Sequence, residues 1–216
     1  MKPIITADCV KTLLDTRFIK VFDLQYEEGK HYYDATRRAA GNLVAVKSDA
    51  EAAVMLPDAV SCFVIIRLPD GDDRLLLTWE YRYPAGRFLL GVTAGLLDPE
   101  DQAAEQPLLS AAARELKEET GLDILPGDTM KVVSPFVYST PGMTDESNGL
   151  ACIVLHRQDL SGITQDGAVG SECFEGYVAL TRDEARLALE SGRDPHGHFY
   201  SVYTWCALMY FLHAEL

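Results

Sequence analysis

Three glutamates crowd into five residues of a helix-forming run, Arg114-Glu115-Leu116-Lys117-Glu118-Glu119-Thr120-Gly121. At about 100° per residue, Glu115 and Glu119 fall one turn apart on a single face, with Glu118 beside them. Like charges at this spacing repel and destabilise an isolated helix. A divalent cation removes that cost, and oxygen-only donors suit Mg2+ or Mn2+ rather than zinc. Solvated faces are the commoner fate of Glu-rich helices, so the neighbours carry weight. Leu109, Ala112, Ala113, Leu116 and Thr120 form a mostly apolar stripe, which means that one side of the helix packs. Arg114 can pair with Glu118 at i,i+4. Pro107 suits a helix start, and Gly121 stands where a C′ glycine is expected. The spacing predicts a packed helix over 107–120 with concentrated negative charge on its polar face.

The rest of the chain reads as α+β. Runs 60–68 and 74–80 are strand-like on either side of the turn signal Pro69-Asp70-Gly71-Asp72-Asp73. Run 87–93 is a third strand leading into Ala94-Gly95. Runs 128–138 and 150–155 flank a loop over 139–149, and 173–180 is another strand. Thr181 and Glu184 form a capping box that opens a helix, and 201–213 is a final, largely apolar helix. Strands and helices mix without regular βαβ alternation. Ahead of this main domain, 58–216, residues 1–57 read as an extension. Runs 18–26 and 32–38 can form a small antiparallel sheet across Glu28-Gly29. So short a sheet needs a partner surface, either the main domain or another subunit.

A net charge of −14 argues against a generic nucleic-acid surface. It still permits a small anionic substrate whose phosphates a metal neutralises. The five cysteines are scattered and have no CxxC spacing, which points to reduced thiols, a cytoplasmic setting and no zinc site. No charged-then-apolar leader opens the chain and no apolar run reaches about 18 residues, so no membrane partner is expected. His196 and His198 read as part of an ordinary turn, Cys152 as packing, and the aromatic run in 199–211 as helix core.

Arg114-Glu115-Leu116-Lys117-Glu118-Glu119-Thr120-Gly121-Leu122 resembles the second half of the Nudix box, R-E-U-x-E-E-x-G-U with U aliphatic, at every fixed position. The first half is stretched. Nine residues separate Gly95 from Glu105 where the family has five, and the expected acid position before Arg114 holds Gln106. Trp79-Glu80-Tyr81-Arg82-Tyr83-Pro84, Thr93-Ala94-Gly95-Leu96-Leu97-Asp98 and the loop Thr140-Pro141-Gly142-Met143-Thr144-Asp145-Glu146 are similar to the ADP-ribose pyrophosphatase branch. Gly91 stands where that branch usually has Glu.

The resemblance implies a Nudix-type mixed sheet between helices, with the N-terminal antiparallel extension exchanged across a homodimer. It implies Glu115 and Glu119 as metal ligands, Glu118 as a third ligand or a water-bridged one, and the Ala94 carbonyl as a backbone ligand. Glu146 would orient or deprotonate water, with Asp145 as the alternative one step away. Arg114 would pin the acidic helix, and Arg82, Arg87 and Gly142 would lie on the substrate side. The implied reaction is Mg2+-dependent hydrolysis of the diphosphate bond of a nucleoside diphosphate sugar. ADP-ribose is the favoured substrate, giving AMP and ribose 5-phosphate. Alternatives are another nucleoside diphosphate derivative (an ADP-sugar, GDP-mannose or a dinucleotide) or a non-catalytic Nudix-fold nucleotide sensor.

Overall fold

The computed structural model describes residues 3–167 and 172–215. They fall into two compact units, one of residues 1–58 and 136–148, the other of 59–135 and 149–216. In the first, β1 (Val10–Asp15), β2 (Lys20–Glu27) and β3 (Lys30–Thr36) form an antiparallel sheet in sequence order. The two expected strands are present, and the hairpin between them turns at Gly29, whose φ is 69°. The third strand, β1, escaped the sequence pattern because it is exposed along almost its whole length and carries no alternation. Phe22, Leu24 and Leu43 make a small core, and α1 (Asp49–Ala52) is a single turn closed by a capping box.

This sheet holds the loop that carries Gly142, Asp145 and Glu146. The Ala35 N–H donates to the Met143 carbonyl at 3.0 Å, and the Tyr32 hydroxyl donates to the Gly142 carbonyl at 2.8 Å. The Asp145 N–H donates to the Asp34 carboxylate at 3.1 Å, while the Asp145 carboxylate accepts from the Val44 N–H at 3.0 Å. Arg38 donates to Asp58 at 2.8 Å and to the Ser147 hydroxyl at 3.2 Å.

The second unit is built on a mixed sheet of β4 (Ala59–Arg67), β5 (Asp73–Arg82), β6 (Arg87–Gly91), β7 (Thr93–Leu96), β8 (Thr129–Tyr138), β9 (Ser147–His156) and β10 (Phe174–Leu180). The main path runs β10-β5-β4-β9-β8, with β6 on β5 and β7 on β4. The helices are α2 (Pro99–Ala103), α3 (Pro107–Thr120), α4 (Arg182–Ser191) and α5 (Val202–His213). The α+β class is the expected one. Along β4 the side chains alternate between two cores. Cys62, Val64 and Ile66 pack with Leu108, Ala112 and Leu116 of α3. Phe63 and Ile65 pack with Ala185 of α4 and Leu208 and Phe211 of α5. Among the described residues no helix is long and apolar enough to cross a membrane.

The run 87–93, expected as one strand, is two. β4 and β5 pair over 64–67 and 73–76 and then part. Past that point β6 pairs with β5 over 78–82, and β7 pairs with β4 over 59–62. A single straight strand cannot serve two diverging partners, so the chain changes partner at Val92. This switch carries Ala94 and Gly95 onto β4, in front of α3.

In the first unit Asp34 is 6% exposed. Burial, reinforced by the charge of Asp145, pushes its carboxyl up to about 6. One of its oxygens has no hydrogen-bond partner among the described residues. The folded state binds this proton more tightly than the unfolded chain. Its stabilising contribution is therefore complete below the unfolded value of ~4 and is lost as pH rises through the folded value. Asp34→Asn is expected to raise stability by ~2 kcal/mol at neutral pH. It should also flatten the fall in Tm between acid and neutral pH, as followed by calorimetry of both proteins.

Candidate active site

The packed face of the acidic helix shares Ala112, Leu116 and Thr120 with the stripe its sequence suggests but is turned toward the acids. α3 starts on Pro107 and stops at Gly121, whose φ of 72° is left-handed, as the end signals predicted. Its buried residues are Leu108, Ala111, Ala112, Leu116 and Thr120, together with Glu115 and Glu119. Leu109 and Ala113 are only half-buried. The stripe 108-112-115-119 runs from apolar into acidic residues without leaving the packed face. Two glutamates thus lie against the sheet, Glu115 5% exposed and Glu119 4% exposed.

Gly95 makes room for Glu115. A Cβ there would stand 1.8 Å from Glu115 Oε1, so any side chain at 95 would drive the carboxylate out. Pairing of β7 with β4, Gly95 opposite Val60 and Ala94 opposite Ser61, sets this position. The Ala94 N–H donates to Glu119 Oε1 at 3.3 Å. Glu119 Oε2 is buried and has no hydrogen-bond partner among the described residues.

Arg114 gathers the acids and the preceding loop. It donates to Glu115 at 2.7 Å and to Glu118 at 3.1 Å. It also donates to the Leu96 carbonyl at 2.8 Å and to Asp101 at 2.8 and 3.2 Å. Asp101 is buried, caps α2 and accepts from the Ser110 hydroxyl at 3.0 Å. Glu105 is exposed. The acid that faces Arg114 is therefore Asp101. Five residues separate it from Gly95, so the family spacing is kept with Asp in place of Glu. The extra length lies after Asp101, between α2 and α3, rather than before the acid.

Burial pushes Glu115 up to about 7, although Arg114 draws it back down. Burial also holds Glu119 well above the ordinary carboxylate range, where the Ala94 N–H lowers it and Glu115 raises it further. Two more acids act on this pair. Glu172, just before β10, raises both Glu115 and Glu119, and Glu80 of β5 raises Glu119. Neither stands out in the sequence, because no local spacing links it to α3. Glu80 shares a face of β5 with Thr78 and with Leu76, which packs in the α3 core. The pairing of Phe174 with Glu80, and of the Tyr81 N–H with the Cys173 carbonyl, brings Glu172 to the same end of β5.

The other expected residues are placed as follows. Glu118 is half-buried and tied to Arg114. Arg82 pairs with Glu80, and Arg87 lies opposite Arg82 across β5 and β6 with its Nε donating to the Ala85 carbonyl at 3.2 Å. Gly142 and Glu146 lie in the first unit, where Glu146 is 3.6 Å from Arg37. Asp145 is engaged by Val44 and Asp34 of that unit. The segment with His196 and His198 is a turn around buried Asp194, which accepts from the backbone N–H groups of both histidines and from the Trp79 indole N–H.

Among the described residues, no three His, Cys, Asp or Glu side chains stand ready-arranged as a metal-binding group. The donor chemistry nonetheless fits a hard divalent cation. The acids are oxygen donors, buried and mutually repelling, and Glu119 keeps an unpartnered oxygen. A carboxylate in that condition is costly unless a proton or a cation neutralises it.

A NUDIX domain model matches residues 55–203. The chain is similar to an ADP-ribose pyrophosphatase of Saccharomyces cerevisiae, 33% identical over 107 residues that cover 48% of this chain and 40% of the yeast protein. It is similar to an ADP-sugar pyrophosphatase of Mus musculus, 25% identical over 140 residues that cover 64% of this chain and 60% of the mouse protein. The match thus spans less than two thirds of either relative. A solved structure described as an ADP compounds hydrolase shares the fold, with a TM-score of 0.53 at 19% identity over 93% of this chain and 88% of that one.

Replacing Arg114 strands Asp101, Glu115 and Glu118 together. Arg114→Met is expected to lower stability by ~3 kcal/mol. Urea denaturation at neutral pH measures this, and an unchanged midpoint would remove Arg114 from its central place.

Proposed function

This chain belongs to the Nudix family, and from that premise we propose that it is a divalent-metal-dependent pyrophosphohydrolase. It cleaves the diphosphate bond of a nucleoside diphosphate sugar, with ADP-ribose, split into AMP and ribose 5-phosphate, as the favoured substrate. The observation that carries this reading is the buried pair of Glu115, held against Gly95, and Glu119, which has one oxygen without a partner among the described residues. The names of the yeast and mouse relatives support the substrate class.

Glu115 and Glu119 would hold Mg2+ or Mn2+, with Glu118 and the Ala94 carbonyl as further donors. When bound, the cation supplies Lewis-acid neutralisation of the diphosphate oxygens. Arg114 keeps the acids oriented by its fixed fork of donors. Arg82 and Arg87 would offer guanidinium groups to phosphate or to the base, and Gly142 would serve the substrate by its loop's resemblance alone. Two acids can take the proton of the attacking water. Glu146 has the loop resemblance behind it. Glu172 has its place behind it, at the end of β5 where Phe174 pairs with Glu80 and the Tyr81 N–H donates to the Cys173 carbonyl.

Gly91, which leaves β6 without an acid, favours a second reading of the substrate as another nucleoside diphosphate derivative. The extension exposes Leu13, Phe18, Tyr32 and Tyr33, apolar surface that a second copy of the chain would cover in the proposed homodimer. The five unpaired cysteines accord with the proposed cytoplasmic setting.

A Mg2+-supplemented screen of sugar nucleotides and dinucleotides, with products separated by chromatography, tests the reaction. No release of nucleoside monophosphate by folded protein would refute it. Glu119→Gln is expected to lower kcat by at least ~100-fold without unfolding the chain. Nucleotide binding without turnover, the same in Glu119→Gln, would instead establish a sensor. Glu146→Gln and Glu172→Gln separate the two candidate bases, since the one that takes the proton should lose ~100- to 10,000-fold in kcat.

A further inference from the structure

Glu80 is 15% exposed at its side chain and lies on the face of β5 that carries Leu76 and Thr78. Arg82, two residues on and on the same face, is 49% exposed and pairs with Glu80. Across the ladder Arg82 faces Arg87, the last pair before the β5–β6 turn. Like charges directly opposite each other on adjacent strands are unfavourable. Two exposed arginines so placed make an anion-binding end, because each offers a planar fork to phosphate oxygens.

That end is already half-satisfied. Glu80 Oε2 takes one Arg82 nitrogen, Nη2, although Glu80 sits among Glu119 and Glu172, whose charges oppose it. β6 supplies no other acid to this patch. Leu89 stands opposite Glu80, and Gly91 stands opposite Thr78 with room for a Cβ whose nearest neighbour is 3.9 Å away. A ligand phosphate that engages Arg82 therefore competes with one identified carboxylate.

We propose that Glu80 is an internal counter-ion of Arg82 that a substrate phosphate must displace, and that it biases the site toward diphosphates over monophosphates. A single phosphate competes poorly with a carboxylate already in place. A diphosphate that reaches both Arg82 and Arg87 competes better, and a monophosphate product leaves more readily. Glu80 is thus a positioning residue that acts through Arg82. This inference rests on the diphosphate-hydrolase reading for its choice of ligand.

The test is isothermal titration in Mg2+ with AMP and with α,β-methylene-ADP, whose P–C–P bridge is not hydrolysed. It compares the wild-type chain, Glu80→Gln, Arg82→Ala and the double variant. Glu80→Gln should bind AMP ~5-fold more tightly and gain less for the diphosphate analogue, which narrows the preference. In the Arg82→Ala background the gain should vanish. Unchanged or weaker binding by Glu80→Gln overturns the proposal. So does a gain of equal size without Arg82, which would be a general charge effect, or a wild-type chain that binds neither nucleotide. Glu80→Ala serves the same comparison where thermal melting shows that the glutamine variant fails to fold. Absence of sugar-nucleotide turnover by the wild-type chain would defeat the hydrolase reading separately, since the titration needs no turnover.

Discussion

Gly95 and Glu115 approach so closely that a single methyl group between them would collide with the carboxylate. That approach depends on the strand switch at Val92, which sets β7 on β4 and turns a bare stretch of backbone toward α3. It depends equally on Arg114, whose guanidinium spans Glu115, Glu118, the Leu96 carbonyl and Asp101. Without the arginine, three or more carboxylates would share one low-dielectric corner, an arrangement that proteins tolerate only with compensation. With it, two oxygen-donor side chains are presented from a helix to a strand end.

The compensation is incomplete. Among the described residues Glu119 keeps one buried oxygen without a partner, and both buried glutamates hold protons more tightly than free carboxylates do. Buried polar groups are normally satisfied, and exceptions concentrate where a ligand completes the set. The same corner is approached by Glu80 and Glu172 on one end of β5, so negative charge converges on it from three segments. Arg82 and Arg87 stand at that end with opposite sign. Oxygen donors of one sign and guanidinium donors of the other thus meet at one end of the sheet.

The N-terminal extension has a structural task of its own. Its sheet and the 139–146 loop are hydrogen-bonded into one compact unit through Tyr32, Asp34, Ala35 and Val44. A three-stranded sheet with so small a core gains stability from such a partner. The cost appears at Asp34, buried beside the half-buried Asp145 with Arg38 as the nearby cation.

Local chemistry made much of this protein legible from its residues. Pro107 and Gly121 mark the ends of α3, Thr181 with Glu184 marks the start of α4, and the turn signals separate β4 from β5. The grouping of Glu115, Glu118, Glu119 and Arg114 also followed from spacing along one helix, where the 3.6-residue repeat leaves little freedom, while their roles came from the family resemblance. Tertiary structure alone decided which of those acids are buried, because that depends on what faces the helix, and a glycine on a distant strand faces it. It alone brought Glu80 and Glu172 to the site, since strand register, not sequence distance, makes them neighbours. Asp101 lies between the two cases. Its spacing from Gly95 was there to be read, but only the hydrogen bonds to Arg114 distinguish it from the other acids in the same lengthened loop.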